Sequence, residues 1–143
     1  MAFLRKRSGS RSTKIIDRPN FTPGPEALLQ RAILDWARYA LPGVFVTHVE
    51  AGSPTLKRRR YLRWLGARAG FPDLLFIGPG KEPGFPRILC MEVKSKSGST
   101  TENQKYVMNL LKEMGVHVAV VKSLEQAEEA VKAAGFAPRA RIL

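Results

Sequence analysis

Pro72-Asp73-Leu74-Leu75-Phe76-Ile77 and, after a connection rich in glycine and proline, Ile88-Leu89-Cys90-Met91-Glu92-Val93-Lys94 decide how this chain folds. The first run reads as a buried strand broken by Gly78-Pro79-Gly80 and the second as its neighbour. A loop of about ten residues between them allows a hairpin. Side chains alternate across a strand, so Ile88, Cys90, Glu92 and Lys94 share one face, while Leu89, Met91 and Val93 share the other. Asp73 falls on the face of Leu75 and Ile77, so adjacent strands can bring it beside Glu92. A carboxylate and an ammonium among apolar neighbours are costly to desolvate, and two carboxylates at one place repel and raise a pKa. A hard divalent cation would answer both demands.

Upstream of this pair, order is expected to begin at Thr22-Pro23-Gly24-Pro25. Pro25 suits a first helical position, and Leu29, Ala32, Ile33, Trp36, Ala37 and Ala40 recur at helical spacing as far as Leu41, before Pro42-Gly43. Val44 to Val49 reads as a strand, and the basic stretch after it as a loop with a helical turn or two near Tyr61–Leu65. Downstream, Thr101-Glu102-Asn103-Gln104 has the form of a capping box. It opens a helix whose apolar stripe is Val107, Leu110, Leu111 and Met114, with Gly115 as its stop. Val116 to Val121 is a strand, and Ser123 to Gln126 a second capping box opening a helix through Val131 to Gly135. The expected order is α-β-β-β-α-β-α, an α/β arrangement with helices covering a sheet and no internal repeat. Residues 1–21 are expected to form a basic tail, disordered when unbound, residues 22–135 the folded domain, and residues 136–143 a C-terminal tail.

The 143 residues, 44% of them apolar, suffice for one domain with one core. Nothing approaches the roughly 18 consecutive apolar residues of a membrane span, and no apolar stretch follows the basic start, so a soluble intracellular protein is expected. With Cys90 alone and only His48 and His117 beside it, neither an internal disulfide nor a Cys/His zinc cluster can form. Any metal must be a hard ion held by carboxylates, which points to magnesium or manganese. The net charge of +12 is concentrated in two places. Arg5, Lys6, Arg7, Arg11, Lys14 and Arg18 stand against Asp17 alone; Lys57, Arg58, Arg59, Arg60, Arg63 and Arg68 occupy a stretch without acids. Such fields attract polyanions, so nucleic acid is the expected partner; a solvated basic face is the plainer reading.

Gly70-Phe71-Pro72-Asp73, followed nineteen positions after the aspartate by Glu92-Val93-Lys94, resembles the paired motif of PD-(D/E)XK nucleases, and most closely their VRR-NUC group. The resemblance takes in Glu26 on the first helix and Gln104 on the helix after the second motif, and spans roughly Glu26 to Val131. It implies a restriction-endonuclease-like core, a mixed β-sheet flanked by helices. It also implies a magnesium site, open to manganese, of Asp73, Glu92, the carbonyl of Val93 and Glu26. Lys94 would position or deprotonate a water, or stabilise charge on the phosphate, and Gln104 would orient Lys94 or the phosphate. Phosphates would be held by the basic stretch from Lys57 to Arg68 and by Lys96. Two features depart from the group's pattern: Ser97–Thr101 lacks an apolar residue before the helix cap, and the loop from Gly78 to Pro86 is long.

Each residue has a plainer reading. Glu92 and Lys94 can be an exposed strand ion pair worth under ~1 kcal/mol, Asp73 a turn residue, Glu26 a partner of the helix dipole and Gln104 a helix cap. His48 and His117 alternate with strand residues and are expected to be structural or DNA-facing; Tyr61 and Trp64 can pack or stack on bases. The leading expectation is a structure-selective endodeoxyribonuclease of branched DNA, Holliday junctions in particular. The resemblance further implies a homodimer with no organic cofactor, working in the cytoplasm of a bacterial or phage-infected cell. A non-catalytic basic DNA-binding module and a ribonuclease on the same fold are the alternatives.

Overall fold

The computed structural model describes residues 22–139, and the expectation of a disordered basic tail over residues 1–21 lies outside them. Helix α1, Pro25–Ala40, starts with proline in its first turn and buries Ile33, Ala37 and Ala40. The chain then enters β1, Phe45–His48, and runs through helix α2, Leu56–Trp64, to β2, Leu74–Gly78, and β3, Arg87–Val93. Helix α3, Glu102–Glu113, β4, His117–Val121, and helix α4, Leu124–Ala133, complete it. The four strands lie in the order β1-β2-β3-β4. β1 pairs with β2, and β2 with β3, antiparallel, so the expected hairpin is present. β4 runs parallel to β3, a pairing that needs a crossover, which α3 supplies.

Strand alternation divides the sheet into two unlike faces. Leu74 and Phe76 of β2, Leu89, Met91 and Val93 of β3 and Val121 of β4 pack with Ile33 and Ala37 of α1 and with Ala127 and Val131 of α4. Burial of each such large side chain contributes about 1.5–3 kcal/mol. The opposite face of β3 carries Cys90 and Glu92, each only 1% exposed. Burial without ionic partners pushes the Cys90 thiol up to about 11.

The architecture is the expected α/β one with a helix added between β1 and β2. In place of a turn or two near Tyr61–Leu65, α2 runs for nine residues from a Thr55 cap, whose side chain accepts the Arg58 N–H. The inward stripe of α3 also differs: Val107 and Met108 are buried, whereas Met114, at the C-cap, is 74% exposed. The helix meets the sheet through the face of Gln104, Val107 and Met108, spaced three and four apart. The box expected at Ser123 is half formed. Ser123 accepts the Gln126 N–H, but the Gln126 side chain takes the N–H of Lys122. Past α4, Gly135 turns with φ +89° so that Phe136 folds back, its N–H on the Val131 carbonyl and its ring in the core against Gly78. The core therefore includes a residue that the sequence reading gave to the C-terminal tail. Among the described residues no helix is long and apolar enough to cross a membrane.

Candidate active site

Continuing the β2–β3 register by one residue from Leu74 opposite Met91 sets Asp73 opposite Glu92, on the face away from the core. Asp73 is fixed at both ends. Its carboxylate accepts the Val93 N–H at 2.8 Å, and its carbonyl accepts the Val49 N–H at 2.8 Å. Glu92 accepts from the Gln104 side-chain amide at 2.6 Å and from the Lys94 ammonium at 2.9 Å, both on Oε1. Gln104 is the expected helix cap, its Oε1 accepting the Thr101 N–H at 2.9 Å to close the capping box, while its amide nitrogen holds Glu92 rather than Lys94. Glu26, exposed in the first turn of α1, accepts the Ser95 N–H at 3.1 Å and so ties that helix to the end of β3.

These five side chains line one polar cavity of about 340 Å³, whose walls also include His48-Val49-Glu50-Ala51-Gly52 and Ala69-Gly70-Phe71. A cavity of about 480 Å³ within the Gly78–Pro86 loop holds none of them. The back of the polar cavity is held by close packing. Gly70 has φ +89°, and a Cβ there would stand 2.8 Å from the Asn103 side chain, which donates to the Ala69 carbonyl. Any larger residue at Gly70 must displace the start of α3, and Gln104 with it.

Electrostatically the site carries more acid than base. Burial raises the Glu92 pKa; the hydrogen bond from Lys94 opposes the rise, and the nearby charges of Asp73 and Glu26 add to it. Burial pulls the Lys94 ammonium down, but the hydrogen bond and charge of Glu92, with Glu26 and Asp73 beyond, outweigh it and leave the amine above its ordinary value. Among the described residues no three His, Cys, Asp or Glu side chains already form a cation shell. The donors around the cavity nevertheless fit a hard ion: carboxylates on facing strands with a third at the mouth, and a surplus of negative charge for a cation to offset.

Of the residues expected to meet phosphate, Lys57, Arg58, Arg59, Arg60 and Arg63 are exposed on α2 and Arg68 follows it. Arg58 is held by Glu50 at 2.7 Å, and Arg59 donates to the Ser53 and Pro54 carbonyls. Lys96 does not line the polar cavity; with Lys94, Pro25 and Leu29 it lines another depression, of about 390 Å³. Of two further contributors, His48 is the one expected to be structural or DNA-facing, and Glu50 is not singled out by the sequence. His48 Nδ1 stands 3.0 Å from both the Asp73 carbonyl and the Gln30 amide, and Glu50 anchors α2 at the rim. Gln30, four residues after Glu26 and hence on the same helix face, was the available signal for the first. His117 is exposed at the start of β4, away from the cavity.

A mixed sheet with helices on it, and acids from facing strands beside a strand-borne lysine, define the class: a nuclease of the PD-(D/E)XK type. The chain belongs to the VRR-NUC family, whose model matches residues 25–125 under the description VRR-NUC domain. A solved structure described as a VRR_NUC domain superposes with a TM-score of 0.54 at 22% identity, covering 77% of this chain and 97% of that one. It supports the fold. The comparison with curated proteins gives no match. Nuclease membership makes DNA the substrate class.

Proposed function

We propose that the protein is a magnesium-dependent endodeoxyribonuclease selective for branched DNA, Holliday junctions included, and that it acts as a homodimer. The observation that carries the reading is Glu92: a carboxylate 1% exposed on a central strand, opposite Asp73, held by Gln104 and Lys94 at the wall of a polar cavity. Burying such a group costs several kcal/mol in isolation, a cost that a structural strand pair does not require.

Asp73, Glu92, the Val93 carbonyl and Glu26 are the groups that would hold the ion. Bound there, magnesium would polarise the scissile phosphate and lower the pKa of a water. The protein's own groups do the positioning. The Val93 N–H fixes the Asp73 carboxylate, and Gln104 fixes that of Glu92. Lys94, which donates to Glu92 at 2.9 Å, would position or deprotonate the attacking water or stabilise charge on the phosphate. A dimer with a two-fold axis presents two such cavities to two strands, which suits symmetric cutting of a junction.

The test is cleavage of a labelled four-way junction, a flap, a nicked duplex and an intact duplex under magnesium titration, with Asp73→Asn and Lys94→Ala beside the parent protein. Cleavage should require the ion, favour the branched substrates and be lost in both variants. Variants that cut as fast as the parent would refute the site, and cutting in chelator would refute the metal.

A further inference from the structure

The helix added between β1 and β2 stands at a particular place. The chain leaves the cavity wall at Gly52 and rejoins it at Ala69, so α2 projects from the rim. Its only buried residue is Leu62, and it is otherwise held by the Thr55 cap, the Arg58–Glu50 pair and the Arg59 contacts to Ser53 and Pro54. Lys57, Arg60, Tyr61 and Trp64 follow one another at i, i+3, i+4 and i+7, the spacing that normally forms a core-facing stripe. Here the stripe is centred roughly 150° around the helix from Leu62 and faces solvent. Trp64 is 80% exposed and Tyr61 49%, and their rings stack with centroids 6.2 Å apart and planes 21° from parallel.

We propose that this face of α2 is a stacking platform for an unpaired nucleobase of the substrate strand, and that it supplies the preference for branched over intact DNA. The inference rests on reading the adjacent cavity as the site of phosphodiester cleavage. Charge complementarity selects the occupant. Arg58 is neutralised by Glu50, but Lys57 and Arg60, which flank the aromatic pair, have no acidic partner among the described residues. A second copy of the chain docked on this stripe would oppose like charges across the contact. A nucleotide offers a phosphate to the cations and a flat π-face to the indole. An intact duplex keeps its base faces stacked internally, so only unpaired or splayed bases can use the platform.

The full-length protein in chelator, where nothing is cut, is titrated with a short oligothymidylate and with a blunt duplex of equal length, following tryptophan emission. Trp36 is partly buried in α1, so quenching by a stacked base reports on Trp64. The single strand should quench the parent. Trp64→Ala should abolish that quench and weaken single-strand binding about five- to a hundredfold, with Trp64→Phe restoring most of it. Duplex affinity should change less than twofold, and the salt dependence should be unaltered because no cation is removed. Equal weakening toward single strand and duplex, absence of quenching, or a dimer that dissociates on Trp64→Ala without DNA would each overturn the proposal. Junction cleavage by the parent in magnesium is measured separately. If cleavage persists while the quench is absent, the platform fails and the cleavage site stands; if cleavage is absent, the cleavage site itself fails.

Discussion

The β2–β3 hairpin carries charged side chains into the cavity and helix α2 carries them beyond its rim, and the two are held in opposite ways. In the hairpin Leu74, Phe76, Leu89, Met91 and Val93 are at most 2% exposed, and β3 is paired along both edges. Asp73 and Glu92 inherit that rigidity because they lie on the same backbone, one face away from the core. Helix α2 buries Leu62 and little else. On the proposed function, the groups that meet reacting atoms are carried by the sheet, where tolerances are fractions of an ångström. The groups proposed to meet a variable polyanion are carried by an appendage whose contacts are polar and exposed.

The contrast can be broken at several points. The largest effect is expected in catalysis: Lys94→Ala and Asp73→Asn should each lower junction cleavage by about a hundred- to ten-thousandfold with circular dichroism unchanged. Next comes stability. Phe76→Ala should cost about 3–5 kcal/mol in urea denaturation, whereas Tyr61→Ala should stay within about 0.5 kcal/mol. Comparable losses at the two positions would mean that α2 belongs to the core after all. A smaller effect is expected on the alkaline side. The Cys90 thiol ionises near 9.0 in the unfolded chain and near 11 in the folded one, so the unfolded chain loses its proton first and stability falls between these values. The loss should approach about 2–3 kcal/mol, and Cys90→Ala should remove this component of the slope.

The subtlest test concerns Glu92 without added metal. Its folded pKa lies above the ordinary 4.5 because it is buried, so its ionisation weighs against the fold as pH rises through that folded value. Glu92→Gln should therefore gain stability relative to the parent between acid and neutral pH, and the two should converge at and below pH 4.5. A parent more stable than Glu92→Gln at neutral pH, with that advantage lost on acidification, would instead place the carboxylate in a net stabilising ion pair with Lys94. Cleavage should be lost in the same variant, separating what the residue does for activity from what it costs the fold.

The hairpin was legible in the sequence because alternation and Gly/Pro punctuation agree there. Placing Asp73 and Glu92 on one face needed only the period of two and an antiparallel pairing. Helix α2 was not legible, because Lys57-Arg58-Arg59-Arg60 reads as a solvated charge run. What holds it, the Thr55 cap and the Glu50–Arg58 pair eight residues apart, is polar and partly non-local. The i, i+3, i+4, i+7 stripe was visible but faced the wrong way for a core argument. On α3, the i, i+3, i+4, i+7 spacing from Val107 favours Met114 over Met108; Met114 falls at the C-cap, where the helix ends, and Met108 is buried instead. The sequence supports only a structural or DNA-facing role for His48, because its contact with Asp73 spans 25 positions and depends on pairing that no local pattern encodes.

Gln104 joins two tasks in one amide: its oxygen closes the first turn of α3 and its nitrogen grips the buried acid. Fraying at that helix start would release Glu92 before the rest of the domain loosens. Thermal inactivation should accordingly set in ahead of global melting, giving the enzyme a built-in fuse.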